Sequence, residues 1–323
     1  MLTHAHIMEA ADQLAANKPI VLENGPVFAV VCNANDPQVQ AKIKKAKDPH
    51  GLNTRGAHQP VGWTVPFAHA LDTVDMSLIT DERMRRLLAD PSELTGRIGA
   101  LAFLRAIADK RVKHKRNIPD SIIPDEAGAM VQIYTPTGND STHKIVRRSM
   151  ALGVEPVMTS ANVSHEKEII DGERAIQFAH DAGGLAVYLQ GRDTADTAVR
   201  GSYPILGVRE DSFTLERAGC FGADIIARLL FDVPFQPFTA HGELPQPAKY
   251  PEYVLHLNDL PDAYSSYKGN DLWFGILATQ GWHDELVDMA QEIPDVAPHF
   301  ARPVERSDRF SRINLAATSA ASE

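Results

Sequence analysis

Short apolar runs alternate with capped amphipathic stretches through the first part of this chain, and that alternation limits it to an α/β architecture with a mixed sheet. Ile7, Ala11 and Leu14 share one face of a first helix. Pro19–Leu22 and Val27–Cys32 follow, the second run β-branched and aromatic enough for a buried strand. Asp36-Pro37 then opens a helix: Asp caps free N–H groups, and Pro at the first helical position loses no bond that was being made. Val39, Ile43 and Ala46 carry its apolar face and Lys42, Lys44 and Lys45 its polar one. Residues 48–62 read as loop, Met84, Leu87 and Leu88 mark another helix, and Ile98–Leu104 and Ala129–Tyr134 read as strands.

The pattern then repeats. A helix over 140–152 starts at Asp140 or Ser141, lines up Ile145, Ser149 and Leu152, and stops at Gly153. The strand Pro156–Thr159 follows and ends in Ser160-Ala161-Asn162. Asp171 caps a helix reaching about Ala182, Gly183-Gly184 ends it, and Leu185–Leu189 is a strand. Thr197–Val208 and Ser212–Glu216 read as a closing strand pair. From Phe231 the texture changes, with Pro234, Pro237, Pro245, Pro247, Pro251 and Pro261 breaking up the segment and only 281–292 reading as helix. This places one domain over 1–231 and a Pro-rich extension over 232–323 with a frayed tail.

Composition narrows the function. The 323 residues carry a formal net charge of −10, so the surface as a whole does not attract nucleic acid and any such role needs a local basic patch. Cys32 and Cys220 are far apart with no Cys-x-x-Cys, which argues against a disulfide framework and a cysteine zinc site. No apolar run reaches the roughly 20 residues of a membrane span, and the N-terminus lacks the regions of a signal peptide. The expectation is a soluble cytoplasmic protein. His4-x-His6 reads as a helix start, and no metal site is assigned.

The most informative stretch is Val157-Met-Thr-Ser-Ala-Asn-Val-Ser-His165. It puts small hydroxyl and amide side chains at the end of a buried strand, where ligands bind in open α/β sheets. Ser and Asn offer both donors and acceptors, which suits a nucleotide. The plainer reading is a polar turn leaving a strand, with Asn162 tolerating an unusual backbone.

Thr159-Ser160-Ala161-Asn162-Val163-Ser164 resembles the Ser-Ala-Asn-x-Ser-Gly signature of the YrdC-like family, which includes the threonylcarbamoyl-adenylate synthases. Val27–Ala34 resembles that family's first strand, and the helix ending in Lys47 sits where the family has a Lys-x-Arg motif. Leu215–Gly219 resembles the closing Arg-x-Gly, and Asp196-Thr197-Ala198-Val199 the preceding Ser-Thr-Val-Val. The correspondence runs in order over roughly residues 5–220. It implies a YrdC-like twisted mixed sheet with helices on its faces. The activity it implies is nucleotidyl transfer. Bicarbonate and an amino acid such as threonine form an N-carboxy compound that attacks the α-phosphate of ATP with Mg²⁺, releasing pyrophosphate and a carbamoyl-AMP for tRNA modification. Such a site holds two anions together and stabilises charge on phosphate oxygens. Carried over by position, Lys47 is the catalytic, phosphate-side lysine. Thr159, Ser160, Asn162 and Arg217 face the nucleotide, and Asn24, Gln132 and Thr197 the amino-acid substrate.

The departures concern charge. Pro49 stands where the family has the second arginine of Lys-x-Arg, with Asp48 beside it, and Gln132 stands where an arginine meets the amino-acid carboxylate. In the first-strand motif Glu23, Asn24 and Ala29 replace proline, threonine and glycine, and His165 replaces the glycine after Ser164. Losing a bidentate arginine from a buried anion costs on the order of 2–5 kcal/mol. His50 and Arg55 in the following loop are the candidate replacements. The alternative is a non-catalytic protein binding a nucleotide, tRNA or double-stranded RNA through a basic concave face. Arg105, Lys110, Arg111, Lys113, His114, Lys115 and Arg116 supply a basic cluster for it, with Lys144, Arg147 and Arg148. No aromatic residues interleave to stack bases, so a solvated face is the plainer reading. Phe231–Tyr253 reads as a packed linker, or as a lid or strap.

Overall fold

The hairpin at the start of the sheet is built by the two apolar runs: β1 (Ile20–Asn24) and β2 (Val27–Asn33) pair antiparallel, from Ile20 opposite Val31 to Asn24 opposite Val27. Every residue of both strands is buried, and each large aliphatic side chain so covered contributes about 1.5–3 kcal/mol. The computed structural model describes residues 2–51, 61–65, 76–90, 97, 103–107, 130–136, 141–189 and 199–260, with 262, 269, 272 and 276.

Among the described residues the strands form one mixed sheet in the order β10-β9-β8-β4-β5-β3-β6-β2-β1-β7. Its remaining strands are β3 (Gly62–Thr64), β4 (Phe103–Ile107), β5 (Met130–Tyr134), β6 (Pro156–Ser160), β7 (Ala186–Tyr188), β8 (Ile205–Val208), β9 (Phe213–Arg217) and β10 (Phe235–Gln236). Pairings β1–β7, β3–β5, β4–β8 and β9–β10 are parallel. Those of β2 with β6, β3 with β6, β4 with β5 and β8 with β9 are antiparallel. This is the expected twisted mixed sheet.

The helices lie on the sheet as their apolar faces dictate. In α1 (His4–Ala15), Ile7, Ala10, Ala11 and Leu14 are buried, and the Thr3 hydroxyl caps the His6 N–H. In α2 (Pro37–Lys47), Asp36 accepts from the N–H groups of Gln38 and Val39, while Val39 and Ile43 pack inward. Helix α3 (Glu82–Ala89) buries Met84, Leu87 and Leu88, as their spacing predicts. Helices α4 (Ser141–Ala151), α5 (Gly172–Asp181) and α6 (Ala223–Leu229) follow, α5 capped by Asp171. No helix among the described residues is long and apolar enough to cross a membrane.

Three expectations need correction. Leu152 does not share the buried face of α4. It lies past the last helical residue and is 38% exposed, because Gly153 at φ +84° turns the chain and Val154 takes the covered position. The closing strand begins at Ile205 rather than Thr197. Gly201 at φ +95° and Pro204, which has no N–H to donate, keep residues 199–204 out of the ladder. The strand read at 98–104 runs instead to Ile107, its earlier half lying outside the described residues. The helix read at 281–292 also lies outside them.

Candidate functional site

The end of β6 and the end of α2 meet. Ser160 is held against Ala29 of β2, and the Ala161 N–H donates to the Phe28 carbonyl at 2.9 Å, so the polar turn leaves a fully paired strand. Asn162, 3% exposed, closes that turn with its side-chain nitrogen, which donates to the carbonyls of Val163 and Glu166 at 2.9 Å each. His165, directly after Ser164, takes φ +73°, a left-handed backbone in which a Cβ is strained.

Lys47 reaches into this turn from the last residue of α2. Its ammonium donates to the Ser160 carbonyl at 2.5 Å and the Asn162 carbonyl at 3.0 Å, with the Ser160 hydroxyl and the Asn162 side-chain oxygen at 3.4 and 3.5 Å. In return the Ser164 N–H donates to the Lys47 carbonyl at 2.7 Å. Burial, and then the nearby Lys249 ammonium, push the Lys47 amine down to about 7, while the Glu168 carboxylate pulls the other way.

A second half of the site comes from β9. The Arg217 guanidinium donates to the Tyr203 carbonyl at 2.7 Å, and the Cys220 N–H to the Ser202 carbonyl at 2.9 Å. Gly219 makes this possible, because a Cβ there would stand 2.3 Å from the Pro204 nitrogen. Ser202 in turn donates to Glu168 at 2.6 Å, linking the closing strands to the segment after Asn162. The Pro-rich segment packs over these elements as the packed-linker reading expects. Ala218 donates to the Gln246 carbonyl, Gly222 to Leu255 and Leu255 to Cys220, and the Tyr250 hydroxyl donates to the Glu168 carbonyl at 2.7 Å.

Of the residues singled out from sequence, Lys47, Ser160 and Asn162 are brought together, with Thr159 adjacent on β6. Asn24 is 2% exposed, and its side-chain oxygen accepts from Tyr134 and Thr142 at 3.2 Å each, so that oxygen is engaged in the core. Gln132 lies on β5 opposite Arg105 and is partly exposed. Pro49 and His50 are exposed beyond the Asp48 cap of α2. Thr197, Arg55 and the basic residues Arg111, Lys113, Lys115 and Arg116 lie outside the described residues. Among the described residues no three His, Cys, Asp or Glu side chains are grouped to hold a metal. Sequence reasoning missed Glu168 and Lys249. Glu168 sits in the run Glu166-Lys167-Glu168, which reads as a solvated turn, and nothing local signals its burial.

No protein-family model matches the sequence, and neither does any curated protein. Solved structures do. The crystal structure of P. abyssi Sua5 complexed with L-threonine superposes with a TM-score of 0.53 at 16% identity, over 73% of this chain and 61% of that one. A double variant of P. abyssi Sua5 gives 0.52 at 16% identity, over 73% and 63%. The fold is YrdC-like. The chain spans a little under two thirds of the length of those Sua5 chains. At such identity the sheet and its helices are what the two share. Within this fold the β6 turn and the α2 lysine are in mutual contact, and Pro49 stands two residues beyond that lysine.

Proposed function

We propose that this chain is a nucleotide-binding enzyme that makes a carbamoyl-adenylate from ATP, bicarbonate and a small amino acid, in support of tRNA modification. The observation that carries the reading is the meeting of Lys47 with the Ser160–Asn162 turn, at the carboxyl end of a central strand where open α/β sheets receive ligands. The complex of P. abyssi Sua5 with L-threonine supports an amino-acid ligand for this fold. Mg²⁺ arrives with ATP as part of the substrate.

In this reading the N-carboxylate oxygen of the amino acid attacks the α-phosphorus, the bond to the bridging oxygen breaks, and pyrophosphate leaves. The chain supplies position and charge. Lys47 turns its ammonium from the turn carbonyls to the phosphate oxygens, and the Ser160 hydroxyl and the exposed edge of Thr159 line the nucleotide side. In the same reading Arg217 serves the adenosine phosphates and Gln132 the amino acid. Pyrophosphate release from ATP and Mg²⁺ tests this. It should require both bicarbonate and one amino acid, and a full amino-acid screen without release contradicts the enzymatic reading.

Pro49 favours a second reading, a non-catalytic protein that binds a nucleotide, tRNA or double-stranded RNA through the basic residues Arg111, Lys113, Lys115 and Arg116. It predicts RNA affinity that falls steeply with salt. Absent or salt-independent binding removes it.

A further inference from the structure

We propose that Glu168 is a ligand-recognition residue whose inner carboxylate oxygen accepts a hydrogen bond from a neutral O–H or N–H of the bound substrate. This rests on the nucleotide and amino-acid reading above and adds a specificity element to that same site.

Glu168 is 4% exposed. One carboxylate oxygen, Oε1, accepts from the Ser202 hydroxyl at 2.6 Å, while the other, Oε2, is buried with no hydrogen-bond partner. Buried carboxylate oxygens are paired as a rule, because an unmet acceptor forfeits its hydration without return. The obvious partner is diverted. Lys249 stands 3.9 Å from Oε1, beyond hydrogen-bonding reach, and its ammonium donates instead to the Glu166 carbonyl at 2.7 Å.

Nor is the segment free to turn the carboxylate outward. The Glu168 carbonyl accepts from the Tyr250 hydroxyl at 2.7 Å, the Ile169 carbonyl from the Phe28 N–H at 2.9 Å, and the Glu166 carbonyl from Asn162. The unmet acceptor is thus fixed next to the turn that Lys47 grips.

Charge selects what it accepts. Lys47 and Lys249 are mutually repelling cations beside this one carboxylate, and the Lys47 ammonium responds to both neighbours. A metal ion or a ligand ammonium entering here meets two positive charges, and a phosphate meets the carboxylate. A neutral donor meets neither penalty and satisfies Oε2. On the proposed substrates that donor is a ribose hydroxyl of ATP or the N–H of the uncharged amine. The Lys249 side chain beside this carboxylate is 43% exposed.

Calorimetric titrations of the full chain and of Glu168→Gln test this with MgATP, its 2′-deoxy and 3′-deoxy analogues, and L-threonine and glycine at saturating MgATP and bicarbonate. Glutamine keeps an oxygen for Ser202 and presents donor to donor at the second position. If the ribose is recognised, Glu168→Gln binds ATP about tenfold or more weaker, and at least one deoxy analogue binds both proteins alike. If the amine is recognised, ATP binding is unchanged and the amino acid weakens by about the same factor. Ser202→Ala, which leaves Oε2 in place, weakens either ligand less. Unchanged binding of every ligand by Glu168→Gln overturns the assignment. So does equal weakening of ATP, both analogues and the amino acid together with a lowered melting temperature, which marks a structural clamp. A wild-type chain that binds neither ATP nor amino acid overturns the nucleotide reading, and this assignment with it.

Discussion

The Lys47 ammonium stands 2.5 Å from the Ser160 carbonyl oxygen, tying the last residue of α2 to the last residue of β6. Lys47→Met removes that donor and leaves the Ser160 and Asn162 carbonyls without it. The expected cost is about 1–3 kcal/mol of stability. Thermal unfolding reads it, and an unchanged midpoint would show that the contact contributes nothing to the turn.

The same lysine sets a pH dependence. Its amine sits at about 7 against an ordinary 10.5, so its charge is lost as pH rises through neutrality. Nucleotide affinity that uses this charge should fall by about tenfold between pH 6 and 8, the equivalent of one moderate charge-assisted contact. Stability moves the other way. Between about pH 7 and 10.5 the unfolded chain holds a proton on Lys47 that the folded chain has released, so unfolding free energy rises with pH across that window. Both trends should vanish in Lys47→Met. Urea unfolding and ATP titration at several pH values check them together.

His165 occupies a left-handed backbone conformation directly after Ser164. His165→Gly relieves the Cβ strain and should raise stability by about 1 kcal/mol, partly offset by the greater freedom of the unfolded chain. A lower urea midpoint for the variant would mean that the imidazole itself holds the turn.

Gly219 admits the Ser202–Pro204 backbone, and an alanine Cβ would meet the Tyr203 carbonyl carbon at 2.4 Å and the Ser202 oxygen at 2.5 Å. Gly219→Ala should therefore cost more than about 3 kcal/mol and loosen the Arg217 contact with Tyr203. Near-native unfolding would contradict this packing.

The architecture was readable because local signals agreed with the fold: Asp36-Pro37 and Asp171 cap helices, and Val27–Cys32 is buried on both sides. The Ser160–Asn162 turn and Lys47 were readable as separate positions. The resemblance sets them around one nucleotide but does not say that they touch, since nothing local in a lysine at a helix end says which turn it reaches. Asn24 shows the converse limit. Its place in a motif implies a ligand, whereas the Tyr134 and Thr142 hydroxyls that occupy its oxygen come from distant parts of the chain. Glu168 looks like surface charge in sequence, yet it is buried, its carboxylate accepting from Ser202 and its carbonyl from Tyr250, both far along the chain. Long-range burial of a polar residue leaves no local periodicity to detect.

Titration of MgATP into the wild-type chain and into Lys47→Met, at pH 6 where the ammonium is charged, shows whether this lysine holds the nucleotide. Saturable binding to the wild type is expected, with affinity at least about tenfold weaker in the variant. Equal affinity in the two proteins, or no heat of binding to the wild type, would contradict it.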